Sequence, residues 1–514
     1  MRKLWYGIWV IVAGCLVQAC GTESRSGDGA DALYDGFISP GAEYRPFVRW
    51  WWNGNSVTKD EIKRQLDVLS AAGIGGVEIN PIAIPTEIDD ADVTPIQWLS
   101  EDWNHLVAYA AQETKKRGMI ADLLVGSGWP FGGEFLREDE LVKRVIVHRI
   151  PYAGGDVLDE SEASLIEKAT QSEHQWHDEQ AMKNELLFLT LVPTDITTVG
   201  QIQNLEDRVT SARRIQFAVP TGNYQLVYGI LQHGHRTVMH GSPGASGPVM
   251  DHFKREVTLN YLNRLLKISE DTGIPLDELF RALFCDSIEL AGANWSSGFE
   301  DLFYQQFGYR LEPYFPFIFY EPSVGYVDSN GTSDEGFAQE IRRVRYDYNA
   351  FLVGQYLENF TKVFQDFCKQ HNLKCRYQAY GNPFLMGIME GNMIPDIPEG
   401  NNWISSTNRA DEWKWSQEHG FMIWNLFAAS GGRLAGRREI SCEAMTCTRD
   451  IFKTSLEQIK RSDDMNFITG INQTVLHGYN YSPKDAGFPG WIQYGAYFSE
   501  QNSWWPHFSK LADY

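Results

Sequence analysis

From residue 47 onward, short and mostly apolar runs alternate with longer stretches in which apolar side chains recur every third or fourth position. The first pattern is that of buried strands and the second that of amphipathic helices, so their alternation predicts a parallel sheet with helices outside it. The opening units are a strand over 47–52, a helix over 58–72 closed by Gly73, a strand over 75–80, a helix over 103–117 and a strand over 119–125. The third strand runs into a glycine-rich loop, Gly126-Ser127-Gly128-Trp129-Pro130-Phe131-Gly132-Gly133.

The alternation then stops. Over 141–250 the chain offers strand-like runs at 144–150, 186–191, 214–219 and 224–232 with no convincing helix among most of them, which predicts an all-β domain inserted after the third strand, or else a long decorated loop. The pattern resumes with a helix over 252–271 and strands over 279–290, 374–380, 394–399, 438–443 and 466–477. Eight strands with intervening helices point to an α/β fold, a (β/α)8 TIM-type barrel made of residues 41–140 and 251–514. No GxGxxG lies between a strand and a helix, so a nucleotide-binding sheet has little support.

The N-terminus changes the picture of where the chain resides. Arg2 and Lys3 precede an apolar run from Leu4 to Val17 that is too short to span a bilayer and suits a signal-peptide core. The run ends in Val17-Gln18-Ala19-Cys20-Gly21, so 1–20 reads as a lipoprotein signal with Cys20 as the lipidated residue; an ordinary secretory signal with an incidental cysteine is the alternative. Residues 21–40, rich in Gly, Ser and Asp near their start, read as a flexible tether from a lipid anchor in a bacterial cell envelope, in the outer membrane or periplasm. Seven cysteines include Cys15 and Cys20, and the remaining five show no CxxC spacing that would support a zinc site or a disulfide scaffold. An isolated pair such as Cys368 with Cys375 stays open.

The formal charge of -22 is spread along 514 residues with no basic block, which argues against nucleic acid as a partner and is compatible with a neutral substrate such as a glycan. In a barrel of this kind the chemistry lies at the C-terminal strand ends. Those ends are acidic: Glu78, Asp286, Glu289, Asp396, Glu399 and Glu443, with Asp122 inside the third strand and His477 at the end of the eighth. Cleaving a glycosidic bond takes one carboxylic acid to protonate the leaving oxygen and a second carboxylate acting at the anomeric carbon. Glu289 and Glu443 form the candidate catalytic pair, and Glu399, held after Pro398, is the rival for the second role.

Seventeen tryptophans, several at predicted strand ends, supply flat apolar platforms of the kind that sugars stack on. Trp52, Asn53, Glu78, Trp129, Asp286, Glu399 and His477 are the candidate substrate-binding residues. Alternation puts Trp50 and Trp52 on one face of their strand and Trp51 on the other, so at least one of the three belongs to the core. No GxSxG elbow is present, and His233 with His235 lacks a metal context.

Several segments together resemble the family 106 glycoside hydrolases, known as α-L-rhamnosidases. They are Arg49-Trp50-Trp51-Trp52-Asn53-Gly54, Ala72-Gly73-Ile74-Gly75-Gly76-Val77-Glu78-Ile79 and the loop Gly126 to Gly133. Later come Asp286-Ser287-Ile288-Glu289, Asp396-Ile397-Pro398-Glu399-Gly400, Ser441-Cys442-Glu443-Ala444 and Gly470-Ile471-Asn472-Gln473-Thr474-Val475-Leu476-His477-Gly478. The resemblance implies a (β/α)8 catalytic domain, an inverting mechanism, a calcium ion near the sugar with unassigned ligands, and a rhamnose-containing oligo- or polysaccharide as substrate. It also implies Glu289 as general acid and Glu443 as general base, with Glu399 as a nearby third carboxylate. The family's further C-terminal β-rich domains are expected to be missing from a chain that ends at Tyr514, and 401–437 with Trp403, Trp413 and Trp415 is long enough for a lid or cleft wall. A catalytically inactive glycan-binding lipoprotein and a barrel glycosidase for another sugar are the competing expectations.

Overall fold

The computed structural model describes residues 27–85, 94–171, 181–290, 292–319, 334–381, 387–404, 415–447, 451–492, 494–495 and 497–514. Cys20 and the signal segment lie outside the described residues. Residues 27–41 fall in one unit and Ala42–Tyr514 forms another, compact one. Within the first, the expected tether is helical over Gly27–Ile38, where Ala30, Ala32 and Leu33 favour a helix.

In the compact unit the first three barrel strands are β1 (Phe47–Asn53), β2 (Gly76–Ile82) and β3 (Ile120–Leu124). The following stretch holds β4 (Lys143–Ala153), β5 (Val157–Ser161), β6 (Lys183–Pro193), β7 (Gln203–Asn204), β8 (Arg214–Ala218) and β9 (Asn223–His233). The barrel is completed by β10 (Ala282–Cys285), β11 (Lys374–Tyr377), β12 (Ile397–Trp403), β13 (Ser441–Thr446) and β14 (Gln473–Asn480). The eight strands close in the order β1-β14-β13-β12-β11-β10-β3-β2 with parallel pairing throughout. This is the TIM-type barrel that the alternation predicts.

Local signals place the helices between them. Thr58 accepts from the Glu61 amide to start Lys59–Ala71, and Ser100 accepts from the Trp103 amide to start Glu101–Lys116. Ser455 and Gln458 form a capping box for Leu456–Thr469, and Gly470, at φ +99°, ends it. That helix occupies 466–469, so the eighth strand begins at Gln473 rather than at residue 466. The sixth and seventh strands are likewise shifted, to 397–403 and 441–446. Glu399 and Glu443 are thus each the third residue of a strand, and Asp396 precedes one, accepting from the Cys375 amide at 3.1 Å at the end away from the mouth.

The insertion is not all-β. Its strands form a sheet of order β4-β9-β6-β7 and a ribbon β5-β8, but the helix Glu162–Gln171 packs on them, with Leu165 and Ala169 joining Leu158, Leu189, Leu226 and Ile230 in a separate apolar cluster. Residues of opposite parity on β9, Val227 and Leu231, belong instead to the main barrel core with Val145 and Phe188. One sheet face therefore has its own core while the other is buried against the barrel. Antiparallel bridges from Trp129 to Met239 and from Gly132 to Val249 tie the return segment to the loop after β3. That tie brings His240 beside Trp129, with ring centroids 5.8 Å apart.

Candidate active site

On β1 the charged Arg49 cannot face the apolar helix layer, so period-two geometry turns Arg49, Trp51 and Asn53 into the barrel and Trp50 and Trp52 outward. Trp50 Nε1 accordingly donates to Gln65 Oε1 of the first helix at 2.8 Å, and Trp52 meets Trp50 edge-to-face at 5.5 Å. The same parity on other strands aims Glu78, Asp122, Arg376, Gln378, Glu399 and Glu443 inward. The barrel interior is consequently filled by ions rather than by the branched apolar layers usual in such folds.

The deeper layer is closed. Arg376, with no exposed surface, donates through Nε to Glu399 Oε2 at 2.6 Å, through Nη1 to Asp122 Oδ2 at 2.8 Å and through Nη2 to Glu78 Oε2. Arg281 adds a fork on Asp122, 3.0 and 2.6 Å long, and Ser441 Oγ donates to Glu399 Oε2 at 2.6 Å. Burial opposes ionisation of Asp122, but Arg281 and then Arg376 outweigh it and hold the acid below its ordinary range. Burial wins at Glu399, whose pKa lies above the ordinary value despite Arg376.

Above it, Arg49 organises a second layer. Its Nε donates to Glu78 Oε1 at 2.7 Å, and its Nη1 donates to both Asp286 Oδ2 and Glu443 Oε2, each at 3.0 Å. Glu443 also accepts from Gln378 Nε2 at 2.7 Å and Thr446 Oγ1 at 2.6 Å, and lies 3.5 Å from His477 Nε2. Burial works against a charged Glu443, yet Arg49 and these hydrogen bonds outweigh it and hold the carboxyl well below the usual range. Asp286 goes the other way: burial is the largest influence, the Glu443 charge adds to it, and Arg49 does not offset them. Burial likewise keeps His477 neutral, with its pKa lowered to about 4.

The rim is aromatic. Trp51 lies 5.1 Å from His477 and 5.3 Å from Tyr494, Trp129 lies 5.7 Å from Tyr494, and Tyr380 stacks on Trp424 at 5.4 Å. Glu289 stands at this rim with its side chain 44% exposed, accepting from Ser287 Oγ at 3.2 Å and with Arg236 Nη2 3.9 Å away. Burial pushes the Tyr380 hydroxyl up, and Glu443, Asp286 and Glu289 all add to it, so this phenol adjoins all three acids. Tyr494 is shifted in the same sense by burial, Glu289 and Asp286.

Of the residues expected from sequence, Glu78, Asp286, Glu399, Glu443 and His477 meet around Arg49, while Glu289 and Trp129 stand at the rim. The substrate-contact expectations for Trp52, Asn53, Glu78 and Glu399 are corrected, the last having both oxygens taken up in the floor by Arg376, Ser441 and Gln378. Trp52 has no exposed surface and packs in the core outside the barrel, and Asn53 Nδ2 is spent on the carbonyls of Tyr481 and Trp491, at 3.1 and 2.8 Å. Glu78 is bound by two guanidiniums and is part of the floor. Sequence reasoning missed Trp51, Arg49, Arg376, Gln378, Tyr380, His240 and Tyr494. The lid expectation is divided: Trp403 is half-exposed at the end of β12, Trp413 lies outside the described residues, and Trp415–Leu434 is a helix.

The calcium ion implied by resemblance takes carbonyl and amide oxygens as well as carboxylates. Among the described residues no group of three or more His, Cys, Asp or Glu is placed to hold a metal, and the buried carboxyls are paired with Arg49, Arg281 and Arg376. All five described cysteines are free and buried.

A closed parallel barrel whose mouth sets acids of unlike environment beside aromatic rims defines the class of barrel glycoside hydrolases. The chain belongs to glycoside hydrolase family 106, described as alpha-L-rhamnosidase, whose family profile matches residues 39–189 and 189–514. It is 24% identical over 511 residues to a protein of Formosa agariphila provisionally named a beta-glucuronidase, across 94% of this chain and 41% of that one. The solved rhamnosidase of Novosphingobium sp. PP1Y shares its fold with a TM-score of 0.66 at 17% identity, across 93% of this chain and 59% of the other. The chain thus spans about half the length of these relatives.

Proposed function

We propose that this chain is an exo-acting α-L-rhamnosidase that cleaves with inversion, using Glu443 as general base and Glu289 as general acid on rhamnose-containing plant or microbial polysaccharide. The observation that carries the reading is the contrast between an acid buried inside the barrel and one that stands partly exposed at its rim. Glu443 is buried and held ionised by Arg49, Gln378 and Thr446, while Glu289 is partly exposed beside Tyr380, where a leaving oxygen arrives. A buried carboxylate held ionised suits the base, and a partly exposed carboxyl at the rim suits proton delivery to a leaving group. Glu443 takes a proton from water as its oxygen attacks the anomeric carbon. Glu289 gives a proton to the glycosidic oxygen as that bond breaks on the opposite face. Trp129 and Tyr494 offer apolar faces to the sugar ring, with Trp51 packed behind Tyr494 and His477. Membership in a rhamnosidase family supports the choice of sugar, and an N-terminal lipid anchor at Cys20 would hold the enzyme at the cell envelope.

The test is hydrolysis of p-nitrophenyl α-L-rhamnoside and of pectic oligosaccharides, with the anomer of the first product read by proton NMR. Release of β-L-rhamnose supports the proposal. Release of the α-anomer rejects inversion. Hydrolysis of p-nitrophenyl β-D-glucuronide, assayed in parallel, with none of the rhamnoside rejects the sugar, and binding without release of any sugar rejects the enzyme.

A further inference from the structure

Five inward carboxyls, Glu78, Asp122, Asp286, Glu399 and Glu443, share three guanidiniums, those of Arg49, Arg281 and Arg376. Arg281 is further divided, because it also pairs with Glu439. Isolated negative charge is too costly in a buried site to persist, and a proton held by one of these acids neutralises part of the surplus. Geometry says where. Asp122 accepts from two arginines and Glu78 from two, whereas Asp286 and Glu443 must share the single Nη1 of Arg49. Among the described residues Glu443 has two further donors in Gln378 and Thr446, while Asp286 has only the Ser287 amide, at 2.7 Å. The unequal donor sets favour the charge on Glu443.

We propose that Arg49 is a positioning residue that clamps Asp286 and Glu443 on one nitrogen so that the pair carries a single negative charge, with Glu443 ionised and Asp286 protonated across the neutral range. The inference deepens the reading of Glu443 as base and rests on it. The groups facing Asp286 are Arg49, Glu443, Glu78, Tyr380, Tyr494 and the Cys285 thiol, and those facing Glu443 are Arg49, Asp286, His477, Tyr380, Tyr497 and the Cys442 thiol. His477 is neutral in this range, and the phenols and thiols carry no charge, so among the described residues Arg49 is the one cation paired directly with both acids. Its guanidinium is held in place by the Glu78 contact and by the Phe284 ring 4.7 Å from its carbon. The consequence for turnover is that a base with a fixed charge faces the reacting water without a second anion beside it.

The experiment is a carbon-13 NMR titration of the full chain labelled at the aspartate and glutamate side-chain carboxyls, with signals assigned by Asp286→Asn and Glu443→Gln. Between about pH 5 and about pH 7 the Asp286 signal is expected to stay at its protonated position, with Glu443 already ionised. In Arg49→Met the Glu443 signal is expected to move toward the protonated position. An Asp286 that is ionised at about pH 6, or a Glu443 indifferent to loss of Arg49, overturns the proposal. If Arg49→Met does not fold, Arg49→Lys serves, because one ammonium cannot hold Glu78, Asp286 and Glu443 together. Its kcat on the rhamnoside is expected to fall about 100-fold with KM changed by less than about threefold, and the acidic limb of the kcat profile to move upward. An unmoved profile overturns the proposal. The titration needs no substrate, so an inactive chain with a protonated Asp286 rejects the glycosidase reading alone. An active chain with an ionised Asp286 rejects this inference alone.

Discussion

The floor and the mouth of one barrel are built from the same residue types to opposite ends. In the floor, Arg376 holds Glu78, Asp122 and Glu399 with no exposed surface, and each oxygen is committed to another protein group. At the mouth, Asp286 and Glu443 compete for one nitrogen of Arg49, and Glu289 is partly open to solvent. A fully satisfied network specifies a structure, because breaking it strands buried charge. A contested one leaves carboxyls with unlike proton affinities, which is the condition for acid and base chemistry.

The contrast can be broken experimentally from either side. The largest effect is expected at the mouth, where Glu443→Gln should lower kcat by about 10³- to 10⁴-fold, measured by initial rates on the aryl rhamnoside, with the thermal midpoint little changed. Glu289→Gln should act most strongly on substrates with poor leaving groups, and retained hydrolysis of the natural linkage would move the acid role elsewhere. On the floor, Arg376→Met should cost about 3–5 kcal/mol of stability by leaving Glu399 without its hydrogen-bonded guanidinium and taking one of two from Glu78 and Asp122, measured by chemical denaturation. A floor variant that loses activity at unchanged stability would erase the distinction.

Tryptophans sharpen it further. Trp52→Ala, in the core outside the barrel, should destabilise by about 3–5 kcal/mol with kcat unchanged in the folded fraction. Trp129→Ala at the rim should instead raise KM about tenfold with little loss of stability.

The smallest expected effect is the pH dependence. His477 is neutral in the fold to about pH 4, whereas an unfolded histidine takes up its proton near its ordinary value of 6.5, so its contribution to stability falls as pH drops from 6.5 toward about 4. Asp463, buried against Thr474 and Asn466, has its pKa pushed up to about 6. Its contribution is therefore complete below the ordinary 3.8 and is lost as pH rises through about 6. Denaturation midpoints across this window should flatten on the acid side in His477→Gln and on the neutral side in Asp463→Asn.

Much of the site was legible in strand parity, had polar residues been followed as closely as apolar ones. Arg376, Gln378 and Tyr380 occupy alternate positions, as do Arg49, Trp51 and Asn53, so one face of each run points at the other strands' acids. Attention to strand ends alone found Glu289, Glu443 and His477 but selected Trp52 where parity selects Trp51. Tyr494 and His240 carried no such signal, because each reaches the mouth on a loop far from the strands in sequence.

What the sequence determined by itself is the order of elements, the barrel, and the acids on its strands, because periodicity and capping are local properties written within a few residues of each position. Only the tertiary structure decided which of those acids share a guanidinium, which are sealed in the floor and which rings line the rim. Those outcomes depend on distances between Arg49, Asp286 and Glu443, residues separated by 237 and 394 positions. The closure of β1 on β14 brings them together, with Gly478 admitting the approach because a Cβ there would lie 2.5 Å from the Arg49 carbonyl.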